Sequence, residues 1–147
     1  MGLGKTLQVI VLLLKLKEEG VLDSRQALIV VPTTLLTNWK KEFEKFAPGI
    51  SHAFFHGPNR TLDEEADVIL TSYGVTRSDQ DLLSKKRWGA VIIDEAQNIK
   101  NVDAAQTRAV KKLKSNIRIA MSGTPVENRL SEYWSIFDFI YKGYMGN

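Results

Sequence analysis

The chain begins with a glycine-rich segment whose residue types suit the binding of phosphate groups. Residues 1–6 read M-G-L-G-K-T, so Gly4, Lys5 and Thr6 fill the last three positions of the pattern G-x-x-x-x-G-K-[ST]. The first position of that pattern would fall before the start of the chain. At Gly2 and Gly4 the absence of a side chain lets backbone N–H groups come close to phosphate oxygens.

The two residues after Gly4 add a charge and a metal ligand. Lys5 would place positive charge on the β- and γ-phosphates, and the Thr6 hydroxyl is a hard oxygen ligand for Mg²⁺. The helix expected from Lys5 adds the favourable dipole of its N-terminus. The segment therefore predicts a nucleoside triphosphate site. A glycine-rich turn followed by an exposed lysine is the alternative that it leaves open.

A pair of adjacent carboxylates forms the second candidate group. Residues 89–97 read G-A-V-I-I-D-E-A-Q, and the apolar run from Ala90 to Ile93 is typical of a strand buried on both faces. Asp94 and Glu95 follow directly, and paired acids are costly to bury there unless they bind metal or protons. In a nucleotide hydrolase the first acid holds Mg²⁺ and the second polarises the attacking water. The alternative is an ordinary Asp-Glu turn.

A third polar group follows another short apolar run. Residues 122–125 read S-G-T-P and come directly after Ile117–Met121. Taken alone they predict a connection from strand to helix, in which Thr124 caps the helix and Pro125 takes its first position.

Together and in order, these segments resemble the motifs of Swi/Snf-type ATPases of helicase superfamily two. M-G-L-G-K-T-L-Q, D-E-A-Q-N-I-K-N and S-G-T-P-V-E-N-R-L-S-E-Y-W-S-I-F-D-F resemble motifs I, II and III. Residues 28–48 and 69–74 resemble motifs Ia and Ib. The ordered set runs nearly end to end and is more specific than any one motif, and the last stretch looks most like the bacterial branch. The front of motif I and motifs IV to VI are not among these residues.

The resemblance implies one domain over residues 1–147. It would be the first RecA-like lobe of a P-loop ATPase, incomplete at its N-terminus and without the second lobe. ATP and Mg²⁺ would be the cofactors. The implied catalytic residues are Glu95, Asp94 and Lys5; the implied cofactor-binding residues are Gly2, Gly4, Lys5, Thr6 and Gln97; and the implied Mg²⁺ ligands are Thr6 and Asp94.

The resemblance also implies residues that respond to the nucleotide and residues that contact DNA. Hydroxyl groups and helix N-termini suit phosphate contacts, which position a partner without reading sequence. For Thr33 and Thr34 a helix N-cap is the structural alternative, and both roles can coexist. The implied coupling residues are Ser122, Gly123 and Thr124, together with Gln97, and the implied DNA contacts are Pro32, Thr33, Thr71 and Ser72.

By the same resemblance, the whole protein would couple ATP hydrolysis to movement along double-stranded DNA and would move or strip bound proteins. Its partners would be duplex DNA, a second RecA-like lobe and a DNA-bound protein. A strand-separating DNA or RNA helicase, a non-catalytic fragment that binds DNA or a partner, and an inert truncation product are the alternatives. We expect residues 1–147 alone to lack DNA-stimulated ATPase activity.

Composition fits one globular domain. The chain has 147 residues, of which 44% are hydrophobic and 25% charged, and it has no cysteine. The net charge of +3 is too small to indicate nucleic-acid binding by itself. The apolar stretch Val9–Leu14 is too short to span a bilayer, so no membrane partner is expected, and we expect it to be part of a helix buried against a sheet on most sides. The lack of cysteine fits a reducing compartment, and we expect the cytoplasm, at the nucleoid, or the nucleus in a eukaryote.

Alternating strand and helix patterns predict an α/β fold, with a mostly parallel sheet covered by helices on both faces. Trp39 and Trp134 fall on apolar helix faces and are predicted core anchors. Strands are predicted at Ala27–Val31, His52–Phe55, Val68–Thr71, Ala90–Ile93 and Ile117–Met121, and helices at Lys5–Glu19, Thr34–Phe46, Ser78–Leu83, Ala104–Lys114 and Val126–Tyr141.

Overall fold

A parallel β-sheet organises the chain. The computed structural model describes residues 2–99, 101, 104–122 and 139–140. Within them, five strands lie in the order β2-β3-β1-β4-β5, and every neighbouring pair is parallel. The predicted parallel α/β architecture is confirmed. The strands are β1 (Ala27–Val31), β2 (His52–Phe55), β3 (Val68–Ser72), β4 (Arg87–Ile93) and β5 (Lys114–Ala120).

Helices cover both faces of this sheet. Side chains of alternating strand positions, such as Ile29 and Leu28, point into two separate apolar cores. Helices α1 and α2 close the first core, and α3, α4 and α5 close the second. The helices are α1 (Gly2–Glu18), α2 (Leu36–Phe46), α3 (Tyr73–Ser78), α4 (Gln80–Lys85) and α5 (Ala105–Lys111), with 3₁₀ turns at Thr33–Leu35 and Ala96–Ile99.

The three inner strands are the most buried elements. All residues of β1 and β3 are buried, as are all residues of β4 after Arg87. This burial on both faces explains why each reads as a nearly continuous apolar run. The outer strands β2 and β5 are partly exposed. Tight burial fixes the position at which each inner strand ends, and the polar residues of the motifs begin at those ends.

Some predicted boundaries are wrong. The short helix expected at Ser78–Leu83 is two helices, which together span Tyr73–Lys85. Strand β5 begins at Lys114 instead of Ile117, because an edge strand can carry polar residues on its open side. The helix expected at Val126–Tyr141 lies outside the described residues, except that residues 139–140 are helical.

Helix α1 is less buried than its sequence suggested. We expected Val9–Leu14 to be covered on most sides, but the helix buries only one stripe. Ile10 and Leu13 are fully buried, whereas Val11 is 57% exposed. In the part of the chain that the structure describes, no helix is both long and apolar enough to cross a membrane.

Candidate active site

A cleft at the carboxyl end of the sheet brings the first two predicted groups together. Its volume is about 380 Å³. Lys5 and Thr6 reach it from the start of α1, and Asp94 and Glu95 reach it from the end of β4. This is the edge at which ligands bind in parallel α/β sheets. The wall opposite is built largely from α2, and the full lining is Lys5, Thr6, Leu35, Asn38, Trp39, Lys41, Glu42, Asp94, Glu95 and Met121.

The carboxylate of Asp94 is held from two sides. Its Oδ2 accepts a hydrogen bond from the Trp39 indole Nε1 at 2.9 Å, and its Oδ1 accepts one from the Glu95 backbone N at 2.8 Å. The side chain is buried, with 8% of the residue exposed. An ionised carboxylate offers about four lone-pair sites, so each oxygen keeps capacity for a further ligand.

Glu95 lies in an unusual backbone conformation. Its φ is +54°, a left-handed value that costs energy for a residue with a side chain. The Tyr73 hydroxyl at the start of α3 supports this turn by donating to the Asp94 carbonyl oxygen at 2.7 Å and, more weakly, toward that of Glu95 at 3.5 Å. Burial, followed by the negative charges of Asp94 and Glu95, raises the pKa of Tyr73 well above its usual value. Tyr73 therefore remains a protonated donor.

A chain of side-chain hydrogen bonds joins the acidic turn, which is formed by Asp94 and Glu95, to the end of β5. The Gln97 Nε2 donates to Glu95 Oε1 at 2.6 Å, and the Ser122 Oγ donates to Gln97 Oε1 at 2.9 Å. The Lys5 amine donates to the Ser122 carbonyl oxygen. Backbone bonds link the same strand ends, because the Met121 N donates to the Ile93 carbonyl. The structure thus links Glu95 and Lys5, two of the predicted catalytic residues, through Gln97 and Ser122, two of the predicted coupling residues.

The two glycines near the chain start are not in a loop. Helix α1 begins at Gly2 instead of the predicted Lys5, so Gly2 and Gly4 lie in its first turn. Among the described residues, no atom lies within 4 Å of a Cβ built on Gly4. Packing against these residues therefore does not require glycine at this position.

The predicted DNA contacts fall into two groups. Pro32 and Thr33 follow β1, and Thr33 and Thr34 are both exposed. The N-cap positions of the 3₁₀ turn and of α2 are Pro32 and Leu35, with no side-chain cap at either, so the expected capping role of the two threonines is not observed. The Thr33 hydroxyl lies on the surface beside the carboxyl end of the sheet.

Thr71 and Ser72, in contrast, face inward. The Thr71 Oγ1 is fully buried and donates to the Phe55 carbonyl at 2.7 Å. The Ser72 Oγ accepts from the Val75 N at 3.1 Å and so caps α3. Both hydroxyls form hydrogen bonds within the protein, and this conformation does not expose them to a DNA backbone. The exposed residue at the start of α3 is Gly74. Of the coupling residues, Gly123 and Thr124 lie outside the described residues.

Sequence reasoning missed part of the site. Trp39 is the buried core anchor that we expected, but its polar tip also contacts Asp94. Tyr73 was not singled out, although its hydroxyl supports the acidic turn. Their chemistry could have indicated these contacts, because a buried indole N–H or phenol O–H normally has a hydrogen-bond partner. Both aromatic residues come soon after strands that end at the site.

The fold and this cleft define a class of protein. A parallel sheet with a Gly-Lys-Thr helix start and an Asp-Glu pair after an inner strand is the arrangement of a RecA-like nucleotide-binding lobe. More narrowly, the chain belongs to the SNF2-related domain family, which it matches over residues 1–147.

Relatives and solved structures agree with that assignment. The chain is 49% identical to YwqA of Bacillus subtilis, a candidate ATP-dependent helicase/translocase, with all of this chain and 17% of that protein covered. It is 39% identical to the TATA-binding protein-associated factor mot1 of Schizosaccharomyces pombe, with 99% and 8% covered. The Sulfolobus solfataricus SWI2/SNF2 ATPase core in complex with double-stranded DNA superposes with a TM-score of 0.88 at 42% identity, with 100% and 31% covered.

The chain matches only part of each of these proteins. The chain spans less than a third of the solved Sulfolobus chain and about a sixth of the Bacillus relative. The part that these proteins share with the chain is therefore one lobe.

Proposed function

We propose that this chain is the ATP-binding lobe of a DNA-dependent ATPase that moves along double-stranded DNA. The observation that carries the proposal is the single cleft that Lys5, Thr6, Asp94 and Glu95 share at the carboxyl end of the sheet. These are the residue types that phosphoryl transfer requires, namely a cation for the phosphates, oxygen ligands for Mg²⁺ and a carboxylate beside the attacking water.

The residues present fit ATP and Mg²⁺. Mg²⁺ in such sites is held by one or two carboxylates, substrate phosphates and water, so no preformed protein cage is needed. Thr6 and Asp94 would hold it, and it would supply charge neutralisation at the phosphates. Lys5 is exposed at the mouth of the cleft, where its amine can exchange the Ser122 carbonyl for a phosphate oxygen. The space beside Gly4 that the described residues leave open suits a phosphate group.

Glu95 is the residue that we assign to the attacking water. Its carboxylate accepts a hydrogen bond from Gln97 through Oε1, which orients the side chain and leaves Oε2 available to take a proton. Gln97 is in turn held by Ser122. A change at the end of β5 would therefore alter the position of the Glu95 carboxylate. This gives the proposed coupling residues a physical route to the chemistry.

The proposed DNA partner rests on the Sulfolobus core, which is described in complex with double-stranded DNA. Among the predicted contacts, the exposed Thr33 suits a phosphate oxygen of the duplex, with Pro32 beside it. Binding would be independent of sequence and would weaken as salt rises. The similarity to a TATA-binding protein-associated factor supports the further proposal that the whole protein displaces DNA-bound proteins. In the cell we place it with the DNA, in the bacterial nucleoid or the eukaryotic nucleus.

Strand separation is the second candidate function, because a Mycoplasma pneumoniae relative at 47% identity is named an ATP-dependent helicase. The full natural protein should be given two substrates, a duplex carrying a third strand in its major groove and a forked duplex. A translocase on double-stranded DNA releases the third strand in an ATP-dependent manner and leaves the fork paired. Separation of the fork without release of the third strand would contradict the proposal and favour the helicase.

A further inference from the structure

The indole N–H of Trp39 makes a contact that apolar packing does not require. Trp39 lies on α2, is 2% exposed and packs on Phe43 with ring centroids 6.1 Å apart. Its Nε1 reaches Asp94 Oδ2 at 2.9 Å, across 55 residues of sequence. We propose that Trp39 is a positioning residue that holds the Asp94 carboxylate in the orientation needed to bind Mg²⁺. This inference rests on the proposed function, since it assigns a role toward the same metal.

The remaining contacts of Asp94 explain why the indole matters. The backbone of Asp94 is fixed because its N donates to the Val30 carbonyl of β1 at 2.9 Å. The Oδ1 is fixed by the neighbouring Glu95 N. Rotation of the carboxylate plane about χ2 is soft in aspartate, so one contact to Oδ1 does not define the plane. The bond from Trp39 supplies the second contact and comes from a different element.

The rigidity of Trp39 makes it suited to this task. A large aromatic side chain that is fully packed has few accessible rotamers, and α2 is anchored to the sheet through Trp39, Phe43 and Leu36. When a residue that hydrogen-bonds to a metal ligand is removed, metal affinity or activity typically falls by about 10–100-fold. Trp39 would be such a residue for Asp94.

The substitution Trp39→Phe removes the N–H and keeps an aromatic ring in the core. The chain offers a matched control, because Trp88 is also fully buried and its Nε1 donates to the Leu83 carbonyl at 3.0 Å, on the opposite face of the sheet. Trp88→Phe therefore removes the same group from an equally buried tryptophan that is not among the described residues lining the cleft. Asp94→Asn serves as the positive control for loss of the metal ligand.

The measurement is the binding of a fluorescent ADP analogue to the full natural protein over a Mg²⁺ titration, which does not depend on turnover. We expect the Mg²⁺ concentration for half-maximal binding to rise about 10–100-fold in Trp39→Phe and to stay within about twofold of the wild-type value in Trp88→Phe. Asp94→Asn should shift it at least as far as Trp39→Phe. Should Trp39→Phe not fold, benzothienylalanine at position 39 keeps the bicyclic ring shape and replaces the N–H by a sulfur atom, which cannot donate a hydrogen bond.

The outcomes separate this inference from the proposed function. A shift in Asp94→Asn with none in Trp39→Phe would overturn the positioning role alone. Equal shifts in Trp39→Phe and Trp88→Phe would also overturn it, because they would reflect general loosening of the cores. An unchanged Mg²⁺ response in Asp94→Asn would overturn the metal site itself, and with it both proposals.

Discussion

At the scale of single residues, the acidic turn after β4 concentrates the chemistry. Asp94 and Glu95 are adjacent in sequence but differ in environment. The Asp94 carboxylate is buried and held by two N–H donors, whereas Glu95 is only partly buried and its carboxylate accepts a hydrogen bond from the Gln97 amide. A buried carboxylate with fixed geometry suits a metal ligand, and an oriented carboxylate that solvent can reach suits a proton acceptor beside water. The two acids should therefore respond differently to substitution.

The first prediction concerns Lys5, whose amine faces the phosphates in the proposed site. Lys5→Ala removes that charge, so ATP turnover of the full natural protein should fall by at least about 10²-fold. Folding should be kept, since changes at exposed positions usually alter stability by only about ±0.5 kcal/mol. Lys15→Ala is the control on the same helix, because Lys15 is exposed and pairs with Glu19 at 3.6 Å. Near-normal turnover of Lys5→Ala would refute the phosphate-binding assignment.

The second prediction separates the two acids. Glu95→Gln keeps the side-chain shape and an oxygen that can accept from Gln97, but it removes the proton acceptor. This variant should bind ATP with Mg²⁺ normally and hydrolyse it at least about 10²-fold more slowly. Asp94→Asn should instead need more Mg²⁺ for nucleotide binding. Nucleotide binding across a Mg²⁺ titration is the measurement, and superimposable curves for the two variants would show that the division of roles is wrong.

At the scale of elements, short helices and strand ends hold the acidic turn in place. Helix α3 contributes Tyr73, and α2 contributes Trp39, each through one polar atom on an otherwise apolar side chain. Helix α1 is tied to the sheet on its far side by the pair between Lys17 and Asp67 at 2.7 Å. The geometry of the site thus depends on how α1, α2 and α3 pack on the sheet.

Tyr73→Phe tests the contribution of α3. Loss of the hydroxyl leaves the buried Asp94 carbonyl without its side-chain donor, which should lower the free energy of unfolding by about 1–3 kcal/mol. Because Glu95 sits in a left-handed conformation beside it, ATP turnover should fall as well. Thr76→Val is the control, since it removes a buried hydroxyl that donates to Ser72 within the same region. Urea unfolding and turnover should show both variants destabilised, with only Tyr73→Phe slowed; equal turnover in both would exclude a role at the turn.

The pair between Lys17 and Asp67 predicts a pH dependence of stability. Burial alone would raise the pKa of Asp67, but the hydrogen bond from Lys17, those from Ser51 and the charge of Lys17 outweigh it and lower that pKa below its usual value. A lowered folded-state pKa stabilises the protein above the unfolded-state pKa, and this stabilisation is lost as the pH falls through the folded-state pKa. Asp67→Asn should therefore be less stable than wild type at pH 7, by on the order of 1 kcal/mol.

The comparison of Asp67→Asn with wild type is made by urea unfolding from pH 7 down to about pH 3. The difference in unfolding free energy should shrink as the aspartate is protonated in the wild type. A difference that stays constant over this range would contradict the electrostatic origin of the contact.

What could be predicted from sequence follows from the physics of each element. The inner strands were found because burial on both faces leaves an unbroken apolar run, as at Leu28–Val31. The start of β5 was missed because Lys114 is exposed at the sheet edge, and α3 was missed because Gly74 and its short length hide any periodicity. Lys5, Thr6, Asp94 and Glu95 were predicted through motif spacing, and all four line the same cleft. The contact of Trp39 could not be found, since periodicity places a side chain on a face but does not orient its polar tip.

At the scale of the whole molecule, we propose that residues 1–147 carry the nucleotide cleft and that other parts of the full protein supply further groups for the reaction. In related phosphoryl transfers, an arginine that reaches the γ-phosphate from outside the lobe increases the reaction rate by about 10³–10⁵-fold. The chain covers 31% of the solved Sulfolobus chain. We predict that residues 1–147 alone show no DNA-stimulated turnover, measured by phosphate release with and without duplex DNA. Robust stimulation of this segment would mean that one lobe suffices.

The central claim is that the cleft at the carboxyl end of the sheet hydrolyses ATP in response to double-stranded DNA. The most direct test is the steady-state rate of phosphate release by the full natural protein, with and without duplex DNA, for the wild type beside Glu95→Gln. We predict that duplex DNA stimulates the wild type and that Glu95→Gln abolishes the stimulated rate while the protein remains folded. Stimulated turnover that survives in Glu95→Gln, or a wild-type rate indifferent to duplex DNA, would contradict this account.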